Sequence, residues 1–146
     1  LVIAANDGAV AVAGVGHRHP SIEIYSTAPV QLPWEHDAGQ RRAVSDLLHA
    51  MHAATGAQVP TNEEWHHRPP DVVEPMPWRI VLKWRLQVPA GFEGGTKIYI
   101  NTIDPWALRQ RVVDELLVLR ERGAIAPLRI GAECSRTDGE LRYADV

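Results

Sequence analysis

The segment Pro77–Asn101 constrains the fold more than any other part of the chain. It reads as a long strand (Trp78–Val88), a Gly-rich turn with the sequence GFEGG, and a second strand (Thr96–Asn101). Because side chains alternate along a strand, one face of the first strand is apolar and the other is cationic. The cations on that second face are Arg79, Lys83 and Arg85. The apolar face predicts packing against a core, and the cationic face predicts an anion-binding surface.

Length and composition predict one globular domain over residues 1–146, since 146 residues and 45% hydrophobic content suffice for a core. We expect residues 124–146 to form a C-terminal hairpin extension, turning at Thr137-Asp138-Gly139. The formal net charge of −3 argues against nucleic acid or an anionic membrane as a partner. The single cysteine, Cys134, fits a reducing compartment, so we expect a cytoplasmic protein.

Local patterns predict strands and helices in an order typical of an α+β fold. Three strands are predicted near the start of the chain, at Leu1–Ala5, Ala9–Val15 and Ser21–Thr27. A first amphipathic helix is expected from the N-cap Asp37 to about Thr55, and a second from the N-cap Asp104 to near Gly123. The Pro-rich stretch Ala57–Pro77 is predicted to be an irregular loop. We therefore expect an antiparallel sheet with two main helices packed on one face.

Three segments carry a family resemblance: Trp65-His66 in the loop, Trp78–Trp84 in the long strand, and Ala90–Asn101 with the sequence AGFEGGTKIYIN. Together with the order of elements, they resemble the C-terminal half of galactose-1-phosphate uridylyltransferases and their relatives in the histidine-triad (HIT) superfamily. The resemblance implies a HIT-like antiparallel sheet. It also implies a nucleotide or a sugar phosphate as ligand, and a homodimer as assembly.

The chain departs from that family at its catalytic and metal-binding positions. No His-Pro-His segment is present, and the metal-type histidines of the strand are Arg79 and Val81. Arginine and valine do not bind metals in that role, so only His66 remains as a metal ligand by resemblance. We therefore predict no cofactor for this chain itself, while a divalent metal such as zinc could belong to the parent protein.

These departures predict a non-catalytic domain that serves a larger nucleotidyltransferase. Because Leu1 lies inside a predicted strand, we expect the chain to be part of a two-domain protein whose N-terminal half is catalytic. The residues predicted to bind substrate are Arg79, Lys83, Arg85, Phe92, Glu93 and Trp65. An ordinary explanation of the three cations is that they pair with Glu23 or with an acid on another strand.

Two other functions are compatible with the sequence. His17 and His19 share one side of an extended segment, so a freestanding nucleotide hydrolase or transferase could use them or His66. A polar turn is the ordinary explanation of His17-Arg18-His19. The loop from Glu63 to His67 carries two carboxylates and two imidazoles, which predicts a metal-binding or protein-interaction module without nucleotide.

Overall fold

The computed structural model describes residues 1–86 and 90–135, and these residues form one antiparallel sheet covered by helices. Its strands are β1 (Val2–Ala5), β2 (Ala9–Ala13), β3 (Ser21–Ser26), β4 (Thr61–His66), β5 (Arg79–Trp84) and β6 (Arg129–Ile130). The helices are α1 (Ala38–Thr55), α2 (Gly91–Thr96) and α3 (Pro105–Glu121), with short 3-10 turns at Pro33–Glu35 and Gly131–Glu133. The strand order is β4-β5-β3-β2-β1-β6, and all neighbours pair antiparallel. This architecture confirms the predicted α+β class.

The two long helices begin where their capping residues predict. The Asp37 carboxylate accepts a hydrogen bond from the Gln40 amide at 2.8 Å, which satisfies a free N–H in the first turn of α1. Asp104 accepts from the amides of Trp106 and Ala107 in the same way at the start of α3. No helix in the described residues has the length and apolarity that a membrane crossing requires.

The core lies between α1, α3 and one face of the sheet, which we call the inner face. Ile80, Leu82 and Trp84 of β5 are almost fully buried there, as their alternation predicts. The Trp84 indole N–H donates to Thr55 Oγ1 at 3.0 Å, so its polar atom is satisfied inside the core. Burial of such large apolar side chains is the main source of the fold's stability.

Strand β4 was not predicted, because it lies inside the stretch Ala57–Pro77 that the sequence indicated as irregular. Its sequence, TNEEWH, contains one apolar residue in six and lacks the alternation that marks a half-buried strand. It is nevertheless the edge strand of the sheet, paired with β5 from Thr61 to His66. Charged side chains are common on edge strands, where they oppose pairing with other chains.

The predicted strand Thr96–Asn101 is wrong, because the chain forms α2 over Gly91–Thr96 and residues 97–101 have no regular structure. Both edges of β5 are already occupied, by β3 and β4, so a further strand would find no partner there. The long strand is also shorter than predicted, since β5 ends at Trp84. Residues 87–89 and the predicted turn at Thr137-Asp138-Gly139 lie outside the described residues.

Candidate functional site

The face of the sheet opposite the helices, the outer face, carries three rows of side chains across β3, β5 and β4. The strand register defines these rows as Tyr25, Arg79 and His66; Glu23, Val81 and Glu64; and Ser21, Lys83 and Asn62. We call them the Arg79 row, the acidic row and the Lys83 row. The two carboxylates thus lie between two rows that each carry a cation. This order lets each acid pair with a neighbouring cation.

Glu23, in the acidic row, is a buried carboxylate with three hydrogen-bonding partners. His17 Nε2 lies 2.9 Å from Glu23 Oε1, the Tyr25 hydroxyl donates to Oε2 at 2.5 Å, and Arg79 Nη1 lies 3.3 Å from Oε2. Burial opposes ionisation of this carboxyl, but the hydrogen bonds from Tyr25 and His17 outweigh it and lower the pKa of Glu23. Glu23 is therefore held as a carboxylate, and Arg79 has the acidic partner that the ordinary explanation of the cations expected.

Gly14 permits the close approach of His17 to Glu23. A Cβ at Gly14 would lie 2.7 Å from His17 Cδ2 and 3.0 Å from Glu23 Oε1, which is too close for either neighbour to stay in place. The pairing of His17 with Glu23 was not predicted from the sequence. The alternation of SIEIYS places Glu23 and Tyr25 on one face, but only the register and the Gly14 turn bring His17 over them.

Glu64, the other acid of its row, binds Lys83. Lys83 Nζ donates to both carboxylate oxygens of Glu64 at 2.7 Å, and His66 Nε2 lies 3.5 Å from Oε2. The hydrogen bond from Lys83 is the largest cause of a lowered pKa at Glu64. The ammonium and the carboxylate are both partly exposed, so solvent weakens this pair.

A cluster of positive charge, formed by Arg18, Lys83 and Arg85, lies around His19 where β5 ends. We call it the cationic end. Burial and then the charges of Arg18, Arg85 and Lys83 lower the pKa of His19. His19 Nδ1 is buried and has no hydrogen-bond partner within the described part of the chain. Arg18 and Arg85 are exposed, and neither forms an ion pair with a described residue.

The segment after α2 lies against this cationic end. The Arg18 guanidinium lies over the Tyr99 ring, 4.0 Å from its centroid, and the Asn101 side-chain amide donates to the His17 carbonyl at 3.2 Å. The two segments are more than eighty residues apart in the sequence, so local sequence patterns could not predict this contact. It brings the family-like segment and the His17-Arg18-His19 segment together at one place.

Phe92 and Glu93, both predicted to bind substrate, are on α2. The Phe92 ring is 54% exposed, so a planar ligand can reach it. The Glu93 carboxylate accepts from the Ala90 amide at 3.1 Å and so caps its own short helix. Its role as a substrate contact stays a prediction.

Trp65 is on the other side of the sheet from the outer face. It pairs in register with Ile80, whose side chain is in the core, and its ring centroid lies 5.3 Å from that of Trp78. Its indole N–H donates to Glu63 Oε1. The structure therefore does not bring Trp65 to the cations of β5.

The residues around His66 do not fit a metal ion. Across residues 1–86 and 90–135, no three His, Cys, Asp or Glu side chains form a group that could hold one. Glu64 is bound by Lys83, and Glu63, on the opposite face of β4, is bound by His52 at 2.7 Å. The metal role of His66 stays a prediction from the resemblance, and no step below depends on it.

Solved structures show which known fold this chain has. One is an ADP-glucose phosphorylase from Arabidopsis thaliana with bound ADP-glucose, at a TM-score of 0.67 and 25% identity over 76% of this chain and 39% of that one. Two uridylyltransferase structures, one of them a mutant, match at TM-scores of 0.62 and 0.61 with 18% identity over 80% of this chain. They are covered to 43% and 41% of their own lengths. The chain thus has a HIT-like, nucleotidyltransferase-type fold and spans about two fifths of these proteins.

The family follows from the sequence itself. The family model described as "Domain of unknown function (DUF4921)" matches residues 1–143, and the chain belongs to this family. A search of curated proteins finds no match.

Proposed function

We propose that this chain is the C-terminal HIT-like domain of a nucleotidyltransferase related to the galactose-1-phosphate uridylyltransferases. In this proposal the domain performs no chemistry itself, and its cationic end binds a phosphate of a nucleotide sugar. The single observation that carries the proposal is the concentration of positive charge around His19, next to the segment that includes Tyr99. The ADP-glucose bound by the similar phosphorylase supports a ligand of this class.

The charges of the cationic end favour a phosphate for a physical reason. Arg18 and Arg85 pair with no acid among the described residues, and their charges are the largest causes, after burial, of the lowered pKa of His19. Like charges so placed repel one another, and a bound phosphate removes that repulsion. Guanidinium groups also bind phosphate oxygens in a bidentate manner.

Arg79 has a different place in this proposal from the one the sequence suggested. It is four residues from Lys83 on the same strand face, so their Cα atoms lie about 13 Å apart at the usual strand rise. A phosphate that contacted both side chains would have to lie between them, over the row that contains Glu23 and Glu64. These two carboxylates would repel it. The phosphate site we propose therefore uses Arg18 and Arg85, and Lys83, which is bound to Glu64, lies beside them.

The exposed apolar side chains of α2 and of the segment after it suggest a contact with another polypeptide. Phe92, Ile98 and Ile100 are 54%, 61% and 56% exposed. Exposed apolar patches are typical of interaction surfaces. In this proposal the surface contacts the catalytic half of the parent protein and contributes to a homodimer. Light scattering after size exclusion tests the dimer: Ile98→Asp with Ile100→Asp should shift a dimer to a monomer, whereas a wild-type monomer contradicts this part.

His17 supports a second candidate function. An imidazole acts as a base or nucleophile when a carboxylate fixes its other nitrogen, and Glu23 fixes Nε2 of His17 at 2.9 Å. A freestanding nucleotide hydrolase or transferase would use the remaining nitrogen, Nδ1. Hydrolysis of ADP-glucose or UDP-glucose to the nucleoside monophosphate and glucose 1-phosphate, lost in His17→Ala, would favour this candidate.

The main test is a thermal-shift titration of the chain with ADP-glucose, UDP-glucose, AMP and UMP. A ligand at a hundred times its Kd stabilises the folded state by about 2.7 kcal/mol, which is a measurable rise in Tm. The double variant Arg18→Gln/Arg85→Gln should bind at least about tenfold more weakly, since the loss of even one hydrogen bond to a charged group costs about 1.5–3 kcal/mol. Arg42→Gln, an exposed position on α1, is the matched control and should bind like wild type. No shift with any nucleotide would contradict the proposal.

A further inference from the structure

A cavity of about 350 Å³ opens on the outer face at the Arg79 row, the end of β5 away from the cationic end. Its floor is the row itself: Tyr25, Arg79 and His66 lie directly opposite one another on three neighbouring strands. Its wall is the segment 67–77, which contributes three prolines and Met76. The cavity thus combines a polar floor with a wall that is apolar apart from His67, as small-molecule sites commonly do.

The Arg79 guanidinium is only partly used by the protein. Its two hydrogen bonds, to Glu23 Oε2 at 3.3 Å and to the Tyr25 hydroxyl at 3.4 Å, both come from Nη1. Among the described residues, Nη2 and Nε of Arg79 have no hydrogen-bond partner. The edge formed by Nη2 and Nε is one of those that bind a carboxylate or phosphate with two parallel hydrogen bonds.

The neighbouring acids do not occupy this edge. Glu23 and Glu64 lie in the next row, on either side of Val81. Glu23 shares its charge among His17, Tyr25 and Arg79, and Glu64 is bound by Lys83 at 2.7 Å. Both carboxylates therefore have partners within the protein, and neither of them occupies the Nη2–Nε edge of Arg79.

We propose that this cavity is a separate binding site for a small organic oxyanion, a carboxylate or phosphate ester carried on an apolar body. The oxyanion binds the Nη2–Nε edge of Arg79, with the His66 imidazole beside it as a second donor. The apolar body packs against the prolines and Met76. This inference does not rest on the proposed function, because the cationic end lies at the other end of β5.

Methionine labelling tests the site directly. The chain contains two methionines: Met51 is in the core, and Met76 lines the cavity. Methyl spectra of the ¹³C-methionine-labelled chain should show two signals, assigned with Met76→Leu. Benzoate and phenyl phosphate should shift the Met76 signal and leave Met51 unchanged, with a Kd on the order of millimolar for ligands of this size.

Two comparisons keep the result specific to the oxyanion. Benzamide has the shape of benzoate without its charge, and it should bind at least tenfold more weakly. Arg79→Lys keeps the charge but loses the planar guanidinium, and Arg79→Gln loses both. The affinity for benzoate should therefore fall from wild type to Arg79→Lys and again to Arg79→Gln. Arg42→Gln is the control. If benzamide shifts Met76 as strongly as benzoate, or if Arg79→Gln binds benzoate like wild type, the proposal is wrong.

The outcomes separate this inference from the proposed function. Arg18→Gln/Arg85→Gln should lower the affinity for ADP-glucose, which we expect at the cationic end. Binding of ADP-glucose should not shift the Met76 signal. The same double variant should bind benzoate with the Kd of wild type. A preference of the cavity for phenyl phosphate over benzoate identifies phosphate esters as the ligand class, and the reverse preference identifies carboxylates.

Discussion

The inner and outer faces of the sheet use the same strands but follow different rules. On the inner face, β3 and β5 present Ile22, Ile24, Ile80, Leu82 and Trp84, and all are 1% exposed or less. On the outer face, the same strands present Glu23, Tyr25, Arg79 and Lys83, linked by hydrogen bonds and ion pairs. The inner face is stabilised by the burial of apolar surface, which is non-directional and requires no particular pairs of residues. The hydrogen bonds and ion pairs of the outer face depend on the order of the strands in the sheet.

This difference teaches where function can be located in such a domain. On the inner face the apolar side chains are closed off from solvent, and the indole N–H of Trp84 is satisfied by Thr55. The outer face compensates its charges in the middle, at Glu23 and Glu64, and leaves cationic groups available toward both ends. Stability and ligand binding should therefore respond to separate sets of substitutions.

The largest effect on stability is expected on the inner face. Leu82→Ala removes a fully buried side chain and leaves a cavity, so the free energy of unfolding should fall by about 2–5 kcal/mol. Urea unfolding followed by circular dichroism measures the change. Val73→Ala, at a position that is 72% exposed, is the control and should change it by less than about 0.5 kcal/mol. A loss at Leu82 no greater than the control would contradict the assigned core.

A smaller effect is expected at the buried acid of the outer face. Glu23→Gln removes the charge that His17, Tyr25 and Arg79 share, and should cost about 1–3 kcal/mol of unfolding free energy. The loss should lie toward the lower end, because His17 and Arg79 can turn to water. Glu115→Gln, at an exposed position on α3, provides the comparison in the same urea experiment. Equal stability of the two variants would mean that the Glu23 cluster does not form.

The contribution of Glu23 should also depend on pH, with a sign fixed by its lowered pKa. A carboxyl whose folded pKa lies below its ordinary 4.5 stabilises the protein above that value and loses this contribution as pH falls through the folded pKa. The stability difference between wild type and Glu23→Gln should thus be smaller at about pH 3 than at about pH 6. Glu133, whose pKa is lowered to about 2, is present in both proteins and cancels from the difference. A difference that grows on acidification would contradict the sign.

The smallest effect is expected at the partly exposed pair of Lys83 and Glu64. Lys83→Gln should reduce the free energy of unfolding by less than about 1 kcal/mol, because solvent screens both groups. Added salt should shrink that difference further. If Lys83→Gln lowered the free energy of unfolding as much as Glu23→Gln does, solvent would not weaken the Lys83–Glu64 pair relative to the buried Glu23 cluster, which would contradict this prediction.

The sequence alone could predict most of the inner face and little of the outer one. The caps at Asp37 and Asp104 and the alternation in β3 and β5 are local signals, so α1, α3 and the buried residues were predicted. The polar strand β4 carried no such signal, and its presence beside β5 removed the place for a strand at Thr96–Asn101.

The site shows the same limit. Alternation placed Arg79 and Lys83 on one face, but their partners, Glu23 and Glu64, depend on the strand order. The contact of Tyr99 with Arg18 depends on the path of the chain after α2. Such pairings arise from topology, which local patterns do not encode.

The most direct test of the central claim is the binding of ADP-glucose and UDP-glucose to the chain, measured by calorimetry on wild type, Arg18→Gln/Arg85→Gln and Arg42→Gln. We predict that wild type and Arg42→Gln bind at least one of these ligands with equal Kd, and that the double variant binds it about tenfold more weakly or worse. Binding that is equal in all three proteins, or absent from wild type, would contradict a phosphate site at the cationic end.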